Sequence, residues 1–242
     1  MTNTLPSTAS QQATPTKRPR KLLAIAGGFF AFVLIMAAIL LINTSNPIVK
    51  PIDNAWRELI GQSPDSSLYQ TALPMFFQHL GEMLGMLAFL AVTIVFFVLG
   101  RWRTALYVFT SFLGSALVSQ FFKHLVDRER PATDEAQGLW GPLFSVDHGS
   151  FPSGHSVTAG VTAIILLALI PAGWHTVRKF WPFVAAFLVF GMMWQRTLIN
   201  AHWLSDTMSG ICLGISCGLL LWWAFYPGLA KEQGRPFWFS KK

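Results

Sequence analysis

The sequence predicts an all-α protein: a polytopic membrane helical bundle of six transmembrane helices, with the N- and C-termini cytoplasmic. Three observations carry this. Of 242 residues, 52% are hydrophobic and only 12% charged, where a soluble domain is about a quarter charged. Mean hydropathy is +0.46. The apolar residues fall into long uncharged runs, each near the length needed to cross about 30 Å of hydrocarbon at 1.5 Å per residue. Backbone groups in lipid must find partners within their own segment, so such runs are helices.

Residues 1–16 are rich in Ser, Thr, Gln and Pro and read as a disordered tail. A basic cluster, Lys17-Arg18-Pro19-Arg20-Lys21, closes the cytoplasmic segment 1–21. The run from Leu22 to Ile42 admits two readings, a cleaved signal peptide or a retained first span. Its length and the lack of a clear small-x-small cleavage site favour the span. Residues 44–75 connect it to the second span and carry Pro51, Pro64 and Pro74, with a short amphipathic surface helix expected over Ile52–Ile60. Further spans are expected over 76–99, 104–122, 156–172, 180–197 and 204–226, so the membrane domain covers 22–226 and a cytoplasmic tail 227–242. Cys212 and Cys217 lie five residues apart in the last run and read as buried thiols rather than as a disulfide framework or metal site.

Placement of Lys and Arg orients the bundle. With the N-terminus inside, twelve basic residues fall on the inner side. Six fall outside: Lys50, Arg57, Lys123, Arg128, Arg130 and Arg196. The net charge of +7 is scattered between apolar runs rather than gathered on an aromatic-lined stripe, which excludes nucleic acid as an expected partner. Lys50 and Arg128 read as interfacial anchors.

Three segments place costly polar groups at the ends of the spans. They are Lys123-x6-Arg130-Pro131, Pro152-Ser153-Gly154-His155 and Arg196-x5-His202-x3-Asp206. With the topology above, all three share the outer side. His202 and Asp206, at i and i+4, lie on one helical face. A carboxylate accepting a hydrogen bond from one ring nitrogen fixes the tautomer and frees the other nitrogen's lone pair, which suits a nucleophile. Ser153 and Gly154 open a helix whose free amides and positive dipole end suit phosphate. Lys123, Arg130 and Arg196 supply fixed positive charge for the oxygens of a transferring phosphoryl group. His155 opens the fourth span, as a helix-cap histidine or as a group of near-neutral pKa suited to donating a proton. Glu82 is a lone acid that either pairs with one of these cations or sits at the interface. His79, His124, His148 and His175 have no such context. No metal or cofactor is expected, because both histidines and the aspartate are engaged and three cations repel a divalent ion.

In order and spacing the three segments resemble the signature of the PAP2 family, the membrane phosphatidate phosphatases and their soluble haloperoxidase relatives. One position departs: Gln195 stands where the family usually has Ser. The resemblance implies that His202 attacks phosphorus to form a phosphohistidine, that Asp206 orients it, and that His155 protonates the leaving group before water hydrolyses the intermediate. It implies a metal-independent hydrolase in a bacterial cytoplasmic (inner) membrane, its site facing the periplasm or exterior. The expected partners are the bilayer and a lipid phosphate, such as undecaprenyl pyrophosphate, phosphatidylglycerol phosphate, phosphatidate or a lipid A phosphate. A lipid phosphotransferase using the same residues, and a non-enzymatic phosphate-binding protein or flippase, remain as rival readings. A haloperoxidase is disfavoured by the apolar spans.

Overall fold

The computed structural model describes residues 17–144 and 149–234, and the expected disordered tail at 1–16 lies outside these. The described residues form eight α-helices and two short 3-10 turns, Leu68–Gln70 and Glu135–Gln137, with no strand. An isolated bridge joins Asp134 to Leu139. The helices are α1 Arg20–Ile42, α2 Lys50–Ile60, α3 Ala72–Gly81, α4 Met83–Val98, α5 Trp102–Val126, α6 Gly154–Leu169, α7 His175–Leu198 and α8 Leu204–Gln233.

Four helices, α1, α5, α7 and α8, are long and apolar enough to cross a membrane, and α3 with α4 makes a fifth if that bent pair is one span. Two of the six expected spans therefore look different from their sequence reading. The run 76–99 is not straight: it breaks by 57° between α3 and α4, at Glu82, whose backbone is extended (φ −103°, ψ −152°). The run 156–172 is a helix of only 16 residues, about 24 Å long at 1.5 Å per residue. Pro171 ends it, because the ring disfavours helical geometry at Ile170, which is extended (ψ 118°). The helix over Ile52–Ile60 is present as α2, with Pro51 in its first turn, where a missing N–H costs nothing. α8 also outruns its expected end at residue 226. Its fully buried Glu232 accepts from the backbone amides of Arg103 (3.1 Å) and Thr104 (2.9 Å), so the last turn of α8 caps the first turn of α5.

α8 is the central helix and packs on α1, α5 and α6. Its contact with α6 depends on small residues spaced by four, Gly210 and Gly214. A Cβ at Gly210 would stand 2.5 Å from the Ser153 carbonyl, and one at Gly214 would stand 2.2 Å from that of Val157. The two backbones are thus in direct contact just where α6 begins. Outward, Leu87, Phe97, Leu117, Phe121, Phe183 and Phe190 are exposed, the apolar exterior of a lipid-facing bundle.

α5 and α7 run toward one end of the bundle, and α6 and α8 leave from it. The α5–α6 connection, the α7–α8 connection and the beginnings of α6 and α8 therefore converge there. Gly214→Ala is expected to lower the melting temperature in detergent by an amount equivalent to about 1–3 kcal/mol. Gly27→Ala, on a face where a Cβ meets nothing within 4 Å, is expected to leave it unchanged or raise it slightly, since Ala is the better helix former. Equal midpoints for the two variants would remove the backbone seam as the reason for the glycine.

Candidate active site

His202 lies in the turn between α7 and α8 and is 4% exposed. Its Nδ1 is 2.8 Å from the Ser150 carbonyl oxygen. A carbonyl only accepts, so Nδ1 carries the proton and Nε2 keeps the lone pair. Nε2 faces Arg130, whose Nη1 is 3.1 Å away. Burial first, and then the charges of Arg196, Arg130 and Lys123, hold the imidazole well below its usual range. His202 is accordingly a neutral, oriented base surrounded by cations.

The direct His202–Asp206 hydrogen bond expected from the i, i+4 spacing is absent. Nδ1 stands 4.0 Å from Asp206 Oδ2, too far for a hydrogen bond. Ser150 stands between them: its carbonyl takes the ring N–H, and its hydroxyl donates to Asp206 Oδ2. Asp206 therefore holds His202 through residue 150. The carboxylate is occupied elsewhere, accepting from the Trp203 amide at 3.1 Å and closing the first turn of α8.

Asp206 also accepts from Arg128 Nη1 at 2.7 Å. Arg128 Nη2 reaches Asp53 Oδ2 on α2, again at 2.7 Å. Ser205 joins both partners: its amide and hydroxyl donate to Asp53 (2.8 and 2.7 Å), and its Oγ accepts from Arg128 (2.8 Å). Asp53, Arg128 and Asp206 are 1%, 3% and 0% exposed. Burial disfavours the Arg128 charge, but Asp206 and Asp53 outweigh it and hold the guanidinium above its ordinary value. The sequence reading of Arg128 as a snorkelling anchor is overturned, because its charge points inward to two carboxylates. The available signal was the pairing of two oddities, an acid on the polar face of α2 and a second arginine two residues before Arg130.

The three cations expected to face a phosphate arrive from three elements. Lys123, in the last turn of α5, donates to the Gly149 carbonyl at 2.7 Å. Arg130 donates to the Ala201 carbonyl at 2.6 Å and reaches Gly149 O at 3.5 Å. Arg196, near the end of α7, is 2% exposed and donates from Nη1 to Gln78 Oε1 at 2.8 Å, while its Nε has no partner. Ser153 caps α6, with its Oγ accepting from the Ser156 amide. Space is open where a Cβ on Gly154 would point, at the helix end whose positive dipole suits an anion.

Gln78, which the sequence reading passed over, joins several of these parts. Besides Arg196, its Oε1 accepts from Gln195 Nε2 at 2.8 Å, and its Nε2 donates to Glu82. The larger side chain at position 195 therefore makes a bond to α3. Glu82 is tied to Arg196 through Gln78, and also lies 3.6 Å from His79 Nδ1. A Cβ at Gly81 would stand 2.0 Å from His155 Cδ2, so glycine there lets the ring seat against the end of α3. His148 lies outside the described residues.

A cavity of about 550 Å³ adjoins Arg130, bordered by Lys50, Arg57, Arg128, Glu135 and Trp203. Arg57 and Arg128 lie against the Trp203 ring, 5.5 and 5.3 Å from its centroid.

Residues 104–228 match the family model of the PAP2 superfamily. The chain is 31% identical over 111 residues to a lipid A 1-phosphatase of Rhizobium etli, covering 45% of this chain and 44% of that protein. It is 30% identical over 117 residues to a lipid A 1-phosphatase of Rhizobium johnstonii, covering 47% and 45%. These matches span under half the length of either curated relative. The fold resembles the crystal structure of a transmembrane PAP2-type phosphatidylglycerolphosphate phosphatase from Bacillus subtilis, with TM-score 0.64, 23% identity, and coverage of 81% of this chain and 93% of that one.

Arg128→Met is expected to lower the melting temperature in detergent by the equivalent of about 3–5 kcal/mol, since it leaves two carboxylates buried without a countercharge. The double variant Asp53→Asn/Arg128→Met is expected to lose less than the sum of the two single changes. Simple additivity would mean that the three charges do not act as one unit.

Proposed function

The chain belongs to the PAP2 superfamily, and from that premise we propose that it is a membrane lipid phosphatase working through a phosphohistidine at His202. One observation carries this reading most directly. The Nδ1 proton of His202 is committed to the Ser150 carbonyl, which leaves the Nε2 lone pair facing the clamp at Arg130. The reading of the bundle as six spans, α3 and α4 forming the second, rests on the apolar runs, and the placement of the site on the outer face rests on the Lys and Arg count. Both belong to the same proposal.

In this mechanism the phosphoryl group sits among Lys123, Arg130, Arg196 and the first amides of α6. Arg presents a planar fork to two oxygens and Lys a point charge. The Nε2–P bond forms as the P–O bond to the lipid breaks, and His155 gives its proton to the departing oxygen. Nε2 becomes quaternary, and the positive charge on the ring is offset by Asp206 through Ser150. A water then attacks phosphorus, returns a proton to His155, and inorganic phosphate leaves with Nε2 restored. Asp206 and Ser150 are positioning residues; His202 and His155 touch the reacting atoms.

The lipid A 1-phosphatases and the phosphatidylglycerolphosphate phosphatase named above act on lipid phosphates at a membrane, and this supports a lipid phosphate as substrate here. A phosphotransferase would use the same first half-reaction and pass the phosphoryl group to a second lipid instead of water. No side-chain feature favours that route, so hydrolysis is the reading we adopt.

Purified protein in detergent is expected to release inorganic phosphate from lipid phosphates without an added acceptor lipid, and His202→Ala to lower that release by at least about 10³-fold. Release that appears only with an acceptor lipid would instead establish the transferase. Gly81→Ala is expected to reduce kcat by about 10²-fold by displacing the His155 ring, with KM changing little. A matching rise in KM would point to lost binding rather than to the proton donor.

A further inference from the structure

A second, smaller cavity of about 210 Å³ lies between the α3–α4 break, α5 and α6. Gly81, Ser115, Ser119, Gln120, His155 and Thr158 give it its chemical character. Two of its polar atoms have no partner: His155 Nε2 and Ser119 Oγ. Ser119 is only 2% exposed. A buried hydroxyl without a partner is costly and rare in a native interior, and both atoms belong to residues that border the slot. Ser115 adds acceptor capacity, because its hydroxyl donates to the Phe112 carbonyl at 2.9 Å and keeps its lone pairs. None of the described residues lining the slot is Lys or Arg. The rim is at Gln120, which is exposed and flanked on α5 by exposed Leu117 and Phe121, so the mouth opens on the lipid-facing side.

The chemistry assigns an occupant. In an in-line displacement the leaving oxygen stands opposite the nucleophile. With His202 Nε2 on one side, the leaving oxygen is on the side of His155, and His155 borders this slot. We propose that the slot is the leaving-group subsite, and that it takes an uncharged, hydrogen-bonding carbon skeleton: the glycerol or amino-sugar end of a lipid monophosphate. A polyprenyl ester has no polar group near its phosphate to meet Ser119. The leaving group of a diphosphate is itself a phosphate, and its charge would enter a buried slot with no cation in its own lining. The volume suits one such unit, well under the roughly 300 Å³ and more of pockets that enclose a whole small ligand. The acyl chains remain outside the mouth, against α5. This inference rests on the phosphatase reading and narrows its substrate.

The test is phosphate release by the purified protein from four lipids: phosphatidate, an acylated glucosamine 1-phosphate, undecaprenyl phosphate and undecaprenyl diphosphate. The first two are expected to have kcat/KM at least about tenfold above the last two. Ser119→Ala is expected to lower kcat/KM for the favoured pair about tenfold, the worth of one buried hydrogen bond, with little change for undecaprenyl phosphate. Ser119→Thr, which keeps a hydroxyl, is expected to restore most of the loss. Ala116→Leu, which fills the slot, is expected to erase the advantage of the favoured pair. A higher kcat/KM for the diphosphate overturns the inference, as does an advantage that survives both Ser119→Ala and Ala116→Leu. Equal losses on all four lipids also overturn it. Which of the glycerol and sugar substrates is faster identifies the source of the skeleton. Absence of release from every lipid by the wild type overturns the phosphatase reading itself, and the role of the slot with it.

Discussion

Arg128 lies between Asp53 and Asp206 with almost no solvent around any of the three. That arrangement links α2, the segment after α5 and the first turn of α8. It is expensive in isolation, because two carboxylates and a guanidinium leave water together. It is retained because hydrogen bonds from Ser205, Ser150 and the Trp203 amide complete the carboxylates. The site then follows from it. Asp206, held by Arg128, holds the Ser150 hydroxyl. The Ser150 carbonyl holds Nδ1 of His202, and the tautomer leaves Nε2 aimed at Arg130. The orientation of His202 is thus set by a charge cluster that does not touch it.

A second network fixes the other half of the site. The break at Glu82 ends α3 where Gln78 meets Arg196 and Gln195 and where Gly81 lies against the His155 ring. A straight helix through this region would carry Gln78 and Gly81 on toward α4's course and could not place both against α6 and α7. The glycine seam between α6 and α8 is the third constraint. It brings the start of α6, with its free amides, against α8 one turn beyond Asp206. The proposed nucleophile, proton donor and anion-binding helix end are therefore held by three different devices: a buried ion cluster, an amide relay and a backbone contact.

Much of this was legible in the sequence. Five of the six apolar runs correspond to helices or to the bent pair that pass a length and apolarity test, and α6 is present but short. The amphipathic segment at Ile52–Ile60 is a helix. Lys123, Arg130, Ser153, Gly154, His155, Arg196, His202 and Asp206 converge on one end of the bundle, as their positions at the ends of runs suggested. The misreadings have one character. Arg128 was taken for an anchor because its partners, Asp53 and Asp206, are 75 and 78 residues away. The His202–Asp206 pair was read as a direct hydrogen bond because i, i+4 neighbours meet on a continuous helix. His202 precedes α8, and Trp203, its N-cap, is extended (ψ 155°).

The sequence by itself determined the chemistry that this chain carries: apolar runs that must be helical in lipid, and a set of cations, histidines and a carboxylate whose spacing within each segment is set by the pitch of a helix or a turn. Those are local properties, and composition and periodicity report them. Tertiary structure decided which side chains complete one another across the chain. Ser150 stands between His202 and Asp206, Gln78 joins α3 to α7, and a slot with an unpartnered Ser119 hydroxyl lies beside His155. These depend on how closely backbones approach and on where a helix breaks. Such distances arise from packing all the helices at once, and no single segment contains them.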